Sequence, residues 1–177
     1  MLNWLINIRR KRYVDRLVRN GLSLGRDVYL NDGFFLDPSH CFLITIEDGV
    51  VFGPGVKIFA HDASSLKVAG KTKIGLVRLG RNCFVGADSV ILPASSIGPG
   101  SILGAQSLLS GHIPEGQVWG GNPAKFIMTV EEYRTRIEAM PGQDFTEAEY
   151  AIRRITPEGK RRMIEALTRY RYGFMKP

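Results

Sequence analysis

The sequence predicts an all-β solenoid, a coil of very short parallel strands, and three observations lead there. From Leu79 an aliphatic residue recurs at every sixth position: Val85, Ile91, Ile97, Leu103 and Leu109. Two residues before each of the last four stands a serine, Ser89, Ser95, Ser101 or Ser107, and Cys83 holds the same slot before Val85. Turn-forming pairs, Asp48-Gly49, Pro54-Gly55 and Pro99-Gly100, fall between the beats. Neither a 3.6-residue helix nor an alternating strand has a strict period of six. A short strand plus a tight turn does, and wound around three faces it makes a coil of about eighteen residues with one inward aliphatic per face. The small residue two places earlier is expected to face inward near a corner, where a larger side chain would collide. A β-sandwich with evenly spaced turns does not hold one phase through six hexads.

Taken in order, residues 1–21 read as a basic amphipathic helix. Trp4, Leu5, Ile8, Val14, Leu17 and Val18 form the apolar stripe, Arg9, Arg10, Lys11, Arg12, Arg16 and Arg19 the other face, and Gly21 the stop. The coiled domain spans 22–127. Its earlier half keeps the beat more loosely, as Leu24, Leu30 and Leu36, then Ile46, Phe52 and Ile58. A loop over 61–73, rich in Ser, Lys and Gly, breaks the rhythm, and an irregular excursion from a regular coil is usually functional. Residues 128–177 turn helical, with segments at Val130–Met140 and Glu158–Tyr172 expected to cap the open end of the coil.

Composition narrows the function. The 177 residues are 44% hydrophobic and 23% charged, which is ordinary for a globular chain. No apolar run approaches the roughly 20 residues a bilayer requires. The short apolar start, followed by arginines and no small-residue cleavage site, leads us to expect a cytoplasmic protein. Cys41 and Cys83 form no CxxC pair, so neither a disulfide framework nor structural zinc is expected. A net charge of +7 favours an anionic partner. No nucleic-acid motif or interleaved aromatic pattern accompanies the basic residues, so nucleic acid is not expected. The basic helix has two readings: a peripheral contact with an anionic membrane, or a solvated face on a helix packed by its stripe onto the coil.

The hexads, the loop opening Ala60-His61-Asp62, and the closing Gly120-Gly121-Asn122-Pro123-Ala124-Lys125 together resemble the hexapeptide-repeat acyltransferases, in the branch of maltose, galactoside, nodulation and polysaccharide O-acetyltransferases. The resemblance covers roughly residues 24–127. It implies a left-handed parallel β-helix, a homotrimer with active sites between neighbouring coils, acetyl-CoA as acyl donor, and direct transfer to a sugar-like acceptor without an acyl-enzyme. A short basic helix stands where some sugar acetyltransferases carry a longer helical segment near the acceptor.

The chemistry needs a base, because a hydroxyl attacks well only as its proton leaves, and imidazole suits that near neutral pH. The resemblance gives this role to His61, with Asp62 a candidate to orient the ring or a solvated loop acid. Gly86-Ala87 and Gly104-Ala105 lie eighteen residues apart, so they stack on one edge, where small side chains leave backbone groups open to a ligand. The resemblance lays the pantetheine arm of coenzyme A there. Ala87 N–H then meets the thioester oxygen, Ala105 and Ser110 lie further along, Trp119 flanks the adenine, and Lys125 meets phosphate. Phe84 matches an aromatic near the acetyl group or anchors the trimer. Asn31 and Asp37 approximate acceptor-side polar positions. His40 and His112 are read as structural or exposed. A metalloenzyme like the γ-class carbonic anhydrases needs a close histidine pair, and no two histidines here are closer in sequence than His40 and His61. No metal is expected; a non-catalytic scaffold is the other alternative.

Overall fold

The computed structural model describes residues 2–146 and 155–176, with the side chains of residues 2–9 left aside. The helix α1 spans Leu2–Arg19. Leu17 is fully buried in the core, and Tyr13 and Val14 pack against it. Val18, placed on the apolar stripe by sequence, is instead 45% exposed. Arg10 reaches Asp32 at 3.1 Å and lies over the Phe34 ring. Val14 and Leu17 thus turn part of the apolar stripe onto the coil. Among the described residues no helix is long and apolar enough to cross a membrane.

After α1 the chain visits three parallel sheets in fixed rotation. The first face holds Ser23–Leu24, Ile44–Ile46, Val77–Leu79, Ser96–Ile97 and His112–Ile113. The second holds Val51–Phe52, Phe84–Val85, Ile102–Leu103 and Gln117–Gly120, with Tyr29 bridged to Val51. The third holds Phe35–Leu36, Lys57–Ile58, Val90–Ile91 and Leu108–Leu109. Phe84 opposes Ile102, eighteen residues on, so the regular circuit has the expected length. The circuits on either side deviate. Phe35 opposes Lys57 twenty-two residues on, Lys57 opposes Val90 thirty-three on, and Ile102 opposes Val118 sixteen on. The longest one carries the expected excursion, a hairpin in which His61 opposes Ile74 and Asp62 opposes Lys73, with a helical turn at Leu66–Ala69.

The hexad aliphatics Leu79, Val85, Ile91, Ile97, Leu103 and Leu109 are all at most 2% exposed, as are Ser89, Ser95, Ser101 and Ser107. These serines also tie circuits together. Ser89 Oγ donates to the Gly104 carbonyl (2.8 Å) and Ser101 Oγ to that of Pro114 (2.7 Å). Ser95, Ser101 and Ser107 accept from the N–H groups of Gly111, Gln117 and Gly121. The expectation that this slot tolerates only small residues is corrected in the first circuits, where Leu22, Ile44, Val50 and Val56 fill it and are buried. Stacked residues need only match each other: Val56 lies one circuit before Ser89, so bulk falls gradually along the axis.

The coil does not end in helix alone. Lys125–Thr129 runs back antiparallel on Gln117–Gly120 and covers that edge of the second face. Leu108 N–H donates to the Gly121 carbonyl and Ala124 N–H to that of Leu108, so the Gly-Asn-Pro-Ala segment adds a last rung to the third face. The first compact unit therefore runs to Tyr133 rather than to residue 127. The second, from Arg134, contains most of the helix Val130–Glu138, the helix Pro157–Arg169, and a parallel pair, Gly142–Thr146 with Tyr172–Lys176. Sequence patterning shows both helices but not this strand pair, whose partners lie thirty residues apart.

Candidate active site

The first circuit is four residues longer than the regular one, and that insertion builds the site. After Leu36 the chain turns through Ser39 and His40 into a 3₁₀ turn at Cys41–Leu43, so Asp37 comes to lie directly before Phe59-Ala60-His61 of the next circuit. Asp37 N–H donates to the Ile58 carbonyl at 3.0 Å, which locks the register. The Asp37 side chain is wholly buried. One carboxylate oxygen accepts from Ser39 Oγ (2.7 Å), Ser39 N–H (3.1 Å) and His40 N–H (3.3 Å). The other accepts from Ala60 N–H (3.1 Å) and is hydrogen-bonded to His61 Nδ1. Burial alone pushes this carboxyl upward, but the hydrogen bonds from Ser39, His61 and Ala60 overrule it and bring it down to about 2. At neutral pH Asp37 is thus a carboxylate that only accepts, and His61 Nδ1 must carry the proton. His61 is about a third exposed, and the Asp37 contact leaves Nε2 as the nitrogen that is unprotonated in the neutral ring.

Two expectations are corrected here. Asp62 does not orient the imidazole: its carboxylate pairs with Lys73 Nζ at 2.6 Å and accepts from Ser64 N–H at 2.8 Å, closing the base of the loop. Lys73, followed by Ser64, holds it well below the usual carboxylate range. Asp37 does not face an acceptor, because no surface of its carboxylate reaches solvent. It takes the orienting role that sequence adjacency suggested for Asp62.

His40 is no isolated residue either. Its ring centroid lies 4.8 Å from that of His61, the planes 35° apart, and its Nδ1 is 3.0 Å from Ser39 Oγ. The two histidines are 21 residues apart in sequence, which matches no multiple of six; only the twenty-two-residue circuit brings them together. Asp37, His40 and His61 can each offer one ligand atom within 4.8 Å of the others. The Asp37 carboxylate is already engaged by five protein donors, which suits a hydrogen-bonded dyad better than a metal ligand. His112 stands apart, exposed on the first face with Nδ1 at 2.8 Å from Ser96 Oγ.

The proposed cofactor residues sort by corner. Ala87 and Ala105 follow the second face, and Gly86 stacks so tightly that an added Cβ would lie 2.3 Å from Ala105 N. Gly86 is therefore required by the approach of successive circuits, before any ligand is considered. The Ala87 carbonyl accepts from Gln106 N–H, while the Ala87 and Ala105 N–H groups are not among the coil's backbone donors. Ser110 follows the third face and is exposed, on the same corner that Phe59 and Ala60 occupy earlier. In one chain the third face thus separates the histidine corner from the alanine corner. Phe84 points outward from the second face, 42% exposed. Trp119 lies at the end of that face, partly packed on the core, its Nε1 donating to Gln117 Oε1 at 2.8 Å. Lys125 is exposed opposite Gly120. Asn31 turns its side-chain oxygen onto the Asp32 N–H and so caps its own turn.

Comparison with known proteins agrees with this architecture. Residues 77–111 match the model of the bacterial transferase hexapeptide (six repeats). Protein CapG of Staphylococcus aureus is 30% identical over 78% of this chain and 83% of its own length. The putative acetyltransferase YvoF of Bacillus subtilis (strain 168) is 32% identical over 54% of this chain, which spans only 53% of that relative. A solved galactoside acetyltransferase in complex with coenzyme A superposes with a TM-score of 0.52 at 19% identity, covering 76% of this chain and 72% of that one. The repeat, the rotation through three parallel sheets and the extended match to CapG lead to one assignment: the chain belongs to the hexapeptide-repeat transferase family.

Proposed function

We propose that this protein is an acetyltransferase that moves the acetyl group of acetyl-CoA directly onto a hydroxyl of a sugar-like acceptor, with His61 as general base. The observation that carries the reading is the buried, ionised Asp37 on His61 Nδ1, which fixes the tautomer whose Nε2 accepts a proton. In the transfer, the acceptor oxygen bonds to the thioester carbon as its proton passes to His61 Nε2. The C–S bond then breaks, and the imidazolium returns the proton to the departing thiolate. The free N–H of Ala87 suits the carbonyl oxygen as its charge develops, an interaction typically worth about 10² to 10³ in rate. The solved galactoside acetyltransferase, with its bound coenzyme A, supports both the donor and the acceptor class. The same likeness supports a left-handed coil. We place the complete site between copies of the chain in a trimer, since one chain keeps its histidine corner and its alanine corner apart.

His61→Ala is expected to lower thiol release from acetyl-CoA with a glycoside acceptor by about 10² to 10⁴-fold. Acetyl-CoA affinity, measured by calorimetry, is expected to stay within about twofold, since the coil backbone and Lys125 are untouched. Loss of cofactor binding together with turnover marks His61 as structural and sinks the reading.

A further inference from the structure

We propose that His40 is a specificity residue that reads a second hydroxyl of the acceptor, so that the site selects compounds with hydroxyls on adjacent carbons. The inference rests on the reading of His61 as base. Its grounds are the proton inventory around Asp37. Ser39 Oγ has one proton, and at 2.7 Å from a carboxylate that cannot donate, that proton belongs to the Asp37 hydrogen bond. The contact of 3.0 Å between Ser39 Oγ and His40 Nδ1 then needs its proton from His40. His40 is therefore held in the same Nδ1–H tautomer as His61, one through Ser39 and the other directly, by a single buried carboxylate.

Both rings turn Nδ1 towards this shared centre, so both Nε2 lone pairs face away from it. The rings stand 4.8 Å apart and only 35° from parallel, and their side chains are 29% and 34% exposed. Two rings at this spacing, each offering Nε2 as acceptor, are near enough to serve two hydroxyls on neighbouring carbons, whose oxygens lie roughly 3 Å apart and each extend a hydrogen bond of about 2.8 Å. His61 removes the proton from the hydroxyl that attacks. His40 only accepts a hydrogen bond from its neighbour, which fixes the acceptor's orientation and disfavours an isolated alcohol. Phe42, its centroid 5.9 Å from that of His40, stands beside the same ring.

Two measurements test this. In long-range ¹H–¹⁵N spectra of histidine-labelled protein at pH 8.5, His40 and His61 should both show the Nδ1–H tautomer, and Ser39→Ala should release His40 alone. An Nε2–H signal for His40 in the wild type overturns the proposal without reference to activity. The second uses acetyl-CoA with methyl β-D-galactopyranoside and its monodeoxy analogues. Removing the hydroxyl next to the acetylated one should lower kcat/KM by about ten- to hundredfold. His40→Phe, which keeps a ring beside His61, should lower the parent glycoside by the same factor, chiefly through KM, and leave the deoxy analogue unchanged. His40→Gln, with its carbonyl oxygen, should recover part of the difference. Equal losses on parent and deoxy analogue would reduce His40 to a packing role, and a protein that binds acetyl-CoA yet acetylates no member of the series also overturns the diol assignment. If His61→Ala retains turnover while His40→Phe still equalises the two substrates, the base assignment fails and the diol reading stands.

Discussion

The proposed chemistry converges on Asp37, which the family resemblance suggested only as an acceptor-side position. Asp37-Pro38-Ser39-His40 reads as a polar turn, and its role emerges only once the first circuit is known to need twenty-two residues. His61 stood out as a candidate because an irregular loop interrupts a strict rhythm and because the motif around it is familiar; its hydrogen-bond partner did not, since adjacency in sequence pointed to Asp62. Asp37→Asn keeps the side-chain volume but replaces an acceptor-only group with one that can also donate, so the His61 tautomer is no longer dictated. Turnover should fall by about 10² to 10⁴-fold with acetyl-CoA affinity retained. The substitution also has a signature in acid stability. The folded-state value of Asp37 lies near 2, below its ordinary 3.8. Its contribution is thus complete above about pH 4 and vanishes as pH falls through about 2, and the shift corresponds to about 2 kcal/mol. Denaturant unfolding followed from pH 5 to pH 2 should lose that increment in the wild type and not in Asp37→Asn. Equal pH dependence in both would place the acid sensitivity elsewhere.

Each rung of the coil is held from two directions, by inward aliphatics and by hydrogen bonds between circuits. The period of six was readable because every inward position repeats the same requirement. What a period cannot display is how closely the circuits approach each other, and Gly86 shows the difference. Neither a positive φ nor a ligand calls for glycine there; the backbone of Gly104-Ala105 leaves no room for a Cβ. Gly86→Ala should cost about 1–3 kcal/mol and lower Tm by roughly 2–12 °C in a chain of this size. Gly104→Ala is the matched control, because its Cβ would meet nothing closer than 3.4 Å. A smaller effect at Gly86 than at Gly104 in thermal melts would contradict the stacking explanation. The slot before each aliphatic shows the reverse limit. Serine at four successive positions suggested a steric rule, yet Val50 and Val56 obey the geometry equally well, so the constraint is complementarity between stacked residues rather than size alone.

At the scale of the whole molecule, the sequence displayed the coil and its interruption but not the returning strand Lys125–Thr129 or the parallel pair at Gly142–Thr146 and Tyr172–Lys176, since pairing across long intervals has no local signature. The proposed trimer draws on what the second face shows outside. Tyr29, Val51, Phe84 and Ile102 align in register on its outer surface, and Tyr29 and Phe84 are 57% and 42% exposed. Closed cyclic association would cover that column. Light scattering should give three times 19.7 kDa at micromolar concentration, and Phe84→Glu should shift the mass towards the monomer and remove activity with it; full activity in a stable monomer would rule out a shared site. One feature of the site also bears on how the protein ages and inactivates. Asp37 belongs to the first circuit and His61 to the second, so the proposed base is assembled across a seam between neighbours in a stack where each circuit contacts only those beside it. Terminal rungs of such stacks open before the middle does. The Ala60 amide, bonded to Asp37 Oδ2, thus reports that seam, and its hydrogen exchange should be faster than that of Leu103 N–H and should track the onset of thermal inactivation well below the global melt. The protein would carry its own fuse at the end of the coil nearest its N-terminus.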